Sequence, residues 1–167
     1  EARQAGIEEF IFVISDGKDV LVKHFEHDQK LMDLLESRNK TALIEKVKST
    51  ELPAGSLKTT RQEKALGLGH AVWCARDLVG NEPFAVILPD DTVLNDETCL
   101  AQMMRAYNAV GGNMIASCQV DEQDTSKYGI LDLVSSKGDL LEIRGLVEKP
   151  APAEAPSNMA IFGRYIL

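Results

Sequence analysis

The segment Phe84-Ala85-Val86-Ile87-Leu88 constrains this chain more than any other. Five consecutive apolar residues stopped by Pro89 read as a short β-strand covered on both faces. Two carboxylates, Asp90 and Asp91, follow directly. In open α/β sheets, ligands bind beyond the carboxyl ends of the strands, which is where this pair falls. Two readings follow. The pair ligates a hard cation such as Mg2+, which keeps one or two protein carboxylates beside phosphate and water, or it caps a turn. Strand-end placement alone does not choose between them.

Phe10-Ile11-Phe12-Val13-Ile14 is a second apolar run of the same kind, and residues 1–6 before it read as a last helical turn closed by Gly6. Val20, Leu21 and Phe25 share one helical face. Leu31, Leu34 and Leu35, then Leu43, Ile44 and Val47, continue that spacing, either as two helices broken near Asn39 or as one bent helix. Residues 57–61 read as a strand and 67–75 as a helix opened by glycines. Residues 96–109 read as a helix with Asp96 as N-cap, and 114–120 as a strand. Beyond residue 120 the pattern changes to strands at 128–134, 140–148 and 159–167, joined by polar turns. Alternating strands and helices followed by hairpins predict an α/β chain: a mostly parallel sheet with helices on both faces and an antiparallel excursion.

Composition narrows the function. With 26 acidic against 18 basic residues the net charge is -8, which argues against a general nucleic-acid backbone binder, because releasing phosphate counterions needs a basic surface. A single nucleotide remains possible, since backbone N–H groups and one or two cations suffice to hold it. Cys74, Cys99 and Cys118 are odd in number and widely spaced, which points to a reducing, cytoplasmic setting rather than a disulfide framework. No apolar run approaches the roughly 18 residues needed to span a membrane.

Two further motifs carry chemistry. Gly67-Leu68-Gly69-His70 stands at a helix entrance, where glycines either let backbone N–H groups approach a ligand or simply open the helix. Glu148-Lys149-Pro150 ends a strand: a carboxylate accepts sugar hydroxyls and an ammonium meets a phosphate, or the three make a solvated edge turn. His24 and His27 lack a third metal ligand nearby, and Ser157-Asn158 has no evident base partner.

Taken in order, Arg61-Gln62, Gly67-Leu68-Gly69-His70-Ala71-Val72, Leu88-Pro89-Asp90-Asp91, Tyr128-Gly129, Val147-Glu148-Lys149-Pro150 and the segment from Ser157 to Tyr165 resemble the bacterial UTP–glucose-1-phosphate uridylyltransferase family. The resemblance implies a three-layer α/β/α, Rossmann-like mixed sheet of the nucleotide-sugar transferase type. It implies that Gln62 and the Gly67 backbone hydrogen-bond the uracil edge and that Asp90 ligates Mg2+. Gly129 then allows close approach of the hexose, Glu148 accepts its hydroxyls and Lys149 holds its phosphate. The implied reaction is in-line attack of glucose 1-phosphate on the α-phosphorus of UTP, giving UDP-glucose and pyrophosphate. The family's glycine-rich triphosphate loop, its second metal-binding aspartate and its C-terminal helices have no counterpart in these residues. The 167 residues are therefore expected to be an interior, partial nucleotidyltransferase domain, inactive in isolation, of a parent that is a homodimer or homotetramer. A thymidylyl- or guanylyltransferase and a non-catalytic nucleotide-binding scaffold are the competing readings.

Overall fold

Phe10–Ile14 forms strand β1 and Leu57–Arg61 forms β2, paired in parallel with Phe10 opposite Leu57 and Ile14 opposite Arg61. A parallel pair needs a long crossover. Helices α1 (Asp19–Lys23), α2 (Gln29–Ser37) and α3 (Thr41–Thr50) supply it. Asp28 caps α2 by accepting the Leu31 N–H at 3.0 Å. The chain turns at Asn39, whose φ of 53° is left-handed; asparagine tolerates that region, so α2 and α3 are separate helices rather than one bent helix. After β2 come α4 (Leu68–Cys74) and α5 (Arg76–Val79).

The computed structural model describes residues 1–167, which divide into two units: Ile7–Glu82, just traced, and Pro83–Leu167 together with Glu1–Gly6. Within β1 only Ile14 is buried, and Phe10 to Val13 are half-buried. Coverage on both faces was the expectation. Two strands flanked by short helices do not supply it, although Phe12 and Phe25 meet edge to face with ring centres 5.1 Å apart.

The second unit contains β3 (Ala85–Ile87), α6 (Cys99–Val110), β4 (Met114–Gln119), β5 (Gly129–Lys137), β6 (Leu140–Glu148) and β7 (Met159–Ile166). All pairings here are antiparallel. Parallel pairing is thus confined to β1 and β2, and the antiparallel part is larger than the sequence pattern suggests. Strand β3 is shorter than its apolar run, and Ile87 is exposed. Helix α6 starts at Cys99 with Thr98, not Asp96, as its cap: Thr98 is extended and its hydroxyl accepts the Ala101 N–H at 3.2 Å. No helix is long and apolar enough to cross a membrane.

Strand β7 organises this unit because it pairs with three others. A strand has two edges, so two partners must share one of them. Ala160 of β7 faces Ile130 of β5, residues 164–166 face β3, and β4 runs along most of its length. The β4 register jumps from Ile115 opposite Tyr165 to Ala116 opposite Phe162. Gly163 and Arg164 therefore form a bulge without β4 partners, the kind of irregularity that re-aims a side chain. Leu100, Ile130 and Ala160, each with no accessible surface, form the surrounding core.

The re-aimed side chain is Arg164, only 3% exposed. Its guanidinium makes bidentate contacts with Glu1 (Nε to Oε1 3.0 Å, Nη2 to Oε2 2.7 Å) and donates to the carbonyls of Leu88, Gly163 and Asp91 at 3.0, 2.9 and 2.8 Å. Glu1 also accepts the Leu100 N–H at 3.2 Å. One cation thereby joins the N-terminal segment, the loop after β3, β7 and the first turn of α6. Arg164→Ala should lower unfolding free energy by about 3–5 kcal/mol in urea titrations, since it strands a half-buried carboxylate and several carbonyls.

The Arg164 hydrogen bonds hold the Glu1 carboxyl below the ordinary carboxylate value despite its burial. A depressed folded-state value means that the stabilisation is complete above the unfolded value of about 4.3 and is lost as pH falls through the folded one. Urea titrations at successive pH values should therefore show a shallower stability loss below about pH 4 in Glu1→Gln than in wild type.

Candidate active site

The loop leaving β3 is held from the inside. Leu88 N–H donates to Gly163 O at 2.9 Å, and the Gly163 N–H donates to Asp91 Oδ2 at 2.8 Å. Arg164 grips the carbonyls on either side of Pro89-Asp90. Asp90 itself lies exposed in the turn, with no hydrogen bond or ion pair to its carboxylate. The two acids expected to act as a pair thus have different situations. Asp91 is a strut that fastens the loop to β7, while Asp90 is the carboxylate left available.

This fastening explains why residue 163 is glycine. A Cβ there would lie 2.6 Å from Asp91 Oδ2 and 2.7 Å from Leu88 Cβ. Next along β7, burial pushes the Tyr165 phenol up, and the fields of Asp91, Glu148 and Asp90 push it the same way. Carboxylates from the β3 loop and from the end of β6 therefore act on one region.

Gly129, the first residue of β5, pairs with Glu148, the last of β6. A Cβ at 129 would approach Ile161 Cδ1 to 2.8 Å and Glu148 Oε2 to 3.2 Å, so the bare backbone lies directly beside that carboxylate. Lys149 follows with φ 48°, its N–H donating to Tyr128 O at 2.9 Å. Left-handed backbone at a lysine costs about 1–2 kcal/mol, and such strain concentrates at functional sites. Its Nζ lies 3.8 Å from Glu148 Oε1, with both side chains exposed. Gly129, Glu148 and Lys149 thus lie together at one end of the β5–β6 hairpin.

In the other unit, Gln62 extends the β1–β2 ladder through its N–H to Ile14 O at 2.9 Å. Its side-chain amide donates to Gly67 O and meets His70 Nδ1, both at 3.0 Å. Gly67 precedes α4 with φ 95°, a conformation that favours glycine, and its N–H has no protein acceptor. Gln62 and Gly67 are adjacent.

The secondary candidates have structural partners instead. His27 Nδ1 lies 2.9 Å from Glu51, and the Ser157 hydroxyl donates to Leu131 O at 2.7 Å while accepting the Met159 N–H. No group of three His, Cys, Asp or Glu side chains is placed to hold a metal ion. Glu1, Gly163, Arg164 and Tyr165 received no role from sequence. A lone arginine inside the apolar segment Met159–Ile166 was the available signal, because a buried charge needs partners.

A parallel strand pair with helices in one unit and an antiparallel sheet with a helix in the other define an α/β protein. The chain belongs to the nucleotidyl transferase family, whose profile matches residues 1–167. It is 43% identical over 167 residues to the UTP–glucose-1-phosphate uridylyltransferase of Komagataeibacter xylinus, covering 100% of this chain and 59% of that protein. Among solved structures it is similar to a UDP-glucose pyrophosphorylase from Acinetobacter baumannii, with TM-score 0.90 and 35% identity over 99% of this chain and 60% of that one. It is also similar to a UDP-glucose pyrophosphorylase complexed with UDP-glucose, with TM-score 0.82 and 34% identity over 100% and 60% of the two chains. These likenesses establish the mixed parallel and antiparallel α/β fold of the nucleotide-sugar transferases. The chain spans less than two thirds of the length of these relatives.

Gly163→Ala should cost about 1–3 kcal/mol in thermal unfolding, because Leu88 Cβ and the strut carboxylate both obstruct the added methyl. Gly129→Ala should cost less, since its nearest obstacle is the far end of a flexible isoleucine.

Proposed function

We propose that the protein containing this chain transfers a uridylyl group from UTP to glucose 1-phosphate, releasing pyrophosphate and forming UDP-glucose. The observation that carries the reading is 43% identity to a UTP–glucose-1-phosphate uridylyltransferase along the whole chain, and the local geometry supports it. With both amide protons of Gln62 turned to Gly67 O and His70, its carbonyl oxygen is left to accept the uracil N3–H. The unpartnered Gly67 N–H can donate to a neighbouring uracil carbonyl. Glu148 would accept hexose hydroxyls beside the open backbone of Gly129, and Lys149 would meet the sugar phosphate.

The donor set suits magnesium better than zinc or calcium. One free carboxylate, Asp90, without a closed cage of acids fits an ion that keeps water and phosphate oxygens as most of its ligands. Bound there, the ion would neutralise charge on the phosphates. The residues of this chain then align the reactants and hold charge; no covalent nucleophile is required.

Pyrophosphate release by the intact protein tests the reading. UTP with glucose 1-phosphate should turn over and a chelator should abolish it. Asp90→Asn should lower kcat by about 100-fold, the scale of one preorganised electrostatic contact, with little change in melting temperature. Lys149→Met should act mainly on KM for glucose 1-phosphate. A preference for GTP or dTTP over UTP, or undiminished turnover in Asp90→Asn, would overturn the assignment.

A further inference from the structure

We infer that His70 is a positioning residue that makes the protein choose uracil over cytosine, by fixing which face of the Gln62 amide meets the base. The inference rests on the reading of Gln62 and Gly67 as the base-recognition pair. A glutamine amide is ambiguous in itself: turned one way it presents a carbonyl acceptor, turned the other an NH2 donor. Uracil and cytosine differ in that same respect. N3 of uracil carries a proton, whereas N3 of cytosine is an acceptor beside an exocyclic amine. A recognition site whose amide rotates freely would accept either base.

The surroundings of Gln62 remove that freedom. The Gly67 carbonyl, 3.0 Å from Nε2, can only accept, so it demands the NH2 group. His70 Nδ1 lies at the same distance from the same nitrogen. With the amide oriented by Gly67, the second amide proton points to His70, which must accept it and carry its own proton on Nε2. Oε1 is left without a protein partner. Rotating the amide to suit cytosine would set that oxygen against the Gly67 carbonyl and would oblige His70 to move its proton from Nε2 to Nδ1.

The histidine is itself held in place. Its ring packs on Cys74 one turn along α4, with Sγ 3.9 Å from Nδ1 and 4.0 Å from Nε2. The Cys74 carbonyl accepts the Thr60 hydroxyl at 3.0 Å, tying α4 back to β2, two residues before Gln62. Both partners of the contact are therefore fastened to the β1–β2 pair.

The test compares kcat/KM for UTP and CTP, each with glucose 1-phosphate, in the intact wild-type protein and in His70→Leu and His70→Asn. Leucine removes the acceptor. Asparagine restores one, because its Oδ1 is bonded to Cγ as Nδ1 is. His70→Leu should lower the UTP-to-CTP ratio by about tenfold, the factor carried by one hydrogen bond, chiefly through KM. His70→Asn should keep a ratio near wild type. Equal loss for both nucleotides in His70→Leu, or a ratio in His70→Asn as low as in His70→Leu, would overturn the role and leave a packing contribution only. Calorimetric titration of UTP and CTP into the same proteins scores the preference independently of turnover, with His70→Ala in place of His70→Leu if the latter does not fold. Absence of UTP turnover in wild type would count against the uridylyltransferase reading, whereas an unchanged binding ratio would count against His70.

Discussion

The buried guanidinium of Arg164 governs the second unit more than any apolar contact does. A cation with almost no accessible surface is tolerable only when its donors are satisfied and its charge is matched, and here Glu1 matches the charge while three main-chain carbonyls take the remaining donors. The requirement runs in both directions. The arginine needs the β3 loop to bring its carbonyls inward, and the loop keeps its shape because the arginine is there. The bulge at Gly163-Arg164 makes this possible by releasing two residues of β7 from their β4 partners.

That arrangement separates rigidity from reactivity within four residues. Leu88 and Asp91 are bound from below, so the intervening turn is presented rather than free to wander, and Asp90 at its tip keeps an unengaged carboxylate. The function proposed for this loop gains from such support, because misplacement of a charged group by even an ångström weakens its effect on a transition state. The same division appears at Gln62 in the other unit. Its NH2 group is consumed by Gly67 and His70, so its carbonyl oxygen is the part left for a ligand. In both places the protein uses up some polar groups in order to define what the rest can do.

Much of this was legible before any coordinates. Strands β1, β2 and β4 lie where short apolar or β-favouring runs placed them. The break at Asn39 and the glycine entrance to α4 were likewise readable, because backbone conformation at such residues is a local matter. Gly129, Glu148 and Lys149 were singled out through the family resemblance, and the β5–β6 hairpin brings them to one end. Errors arose where the deciding partner is distant in sequence. Asp96 and Thr98 are both good caps, and choosing between them depends on the path taken by the chain out of the β3 loop. Ile87 is apolar yet exposed, for coverage is a property of neighbouring elements and not of the run itself.

Sequence alone was sufficient for the α/β class, for the order of the elements and for the set of polar residues worth attention, all of which follow from local periodicity, turn chemistry and ordered motifs. Only the tertiary structure distinguished Asp91 as a strut from Asp90 as an available carboxylate, made Arg164 the internal clamp, and turned the Gln62 amide one way rather than the other. The physical reason is common to the three. Each depends on which donor meets which acceptor once the chain is folded, from five residues away for Gln62 and Gly67 to 163 for Arg164 and Glu1, and such complementarity has no periodic trace in the sequence.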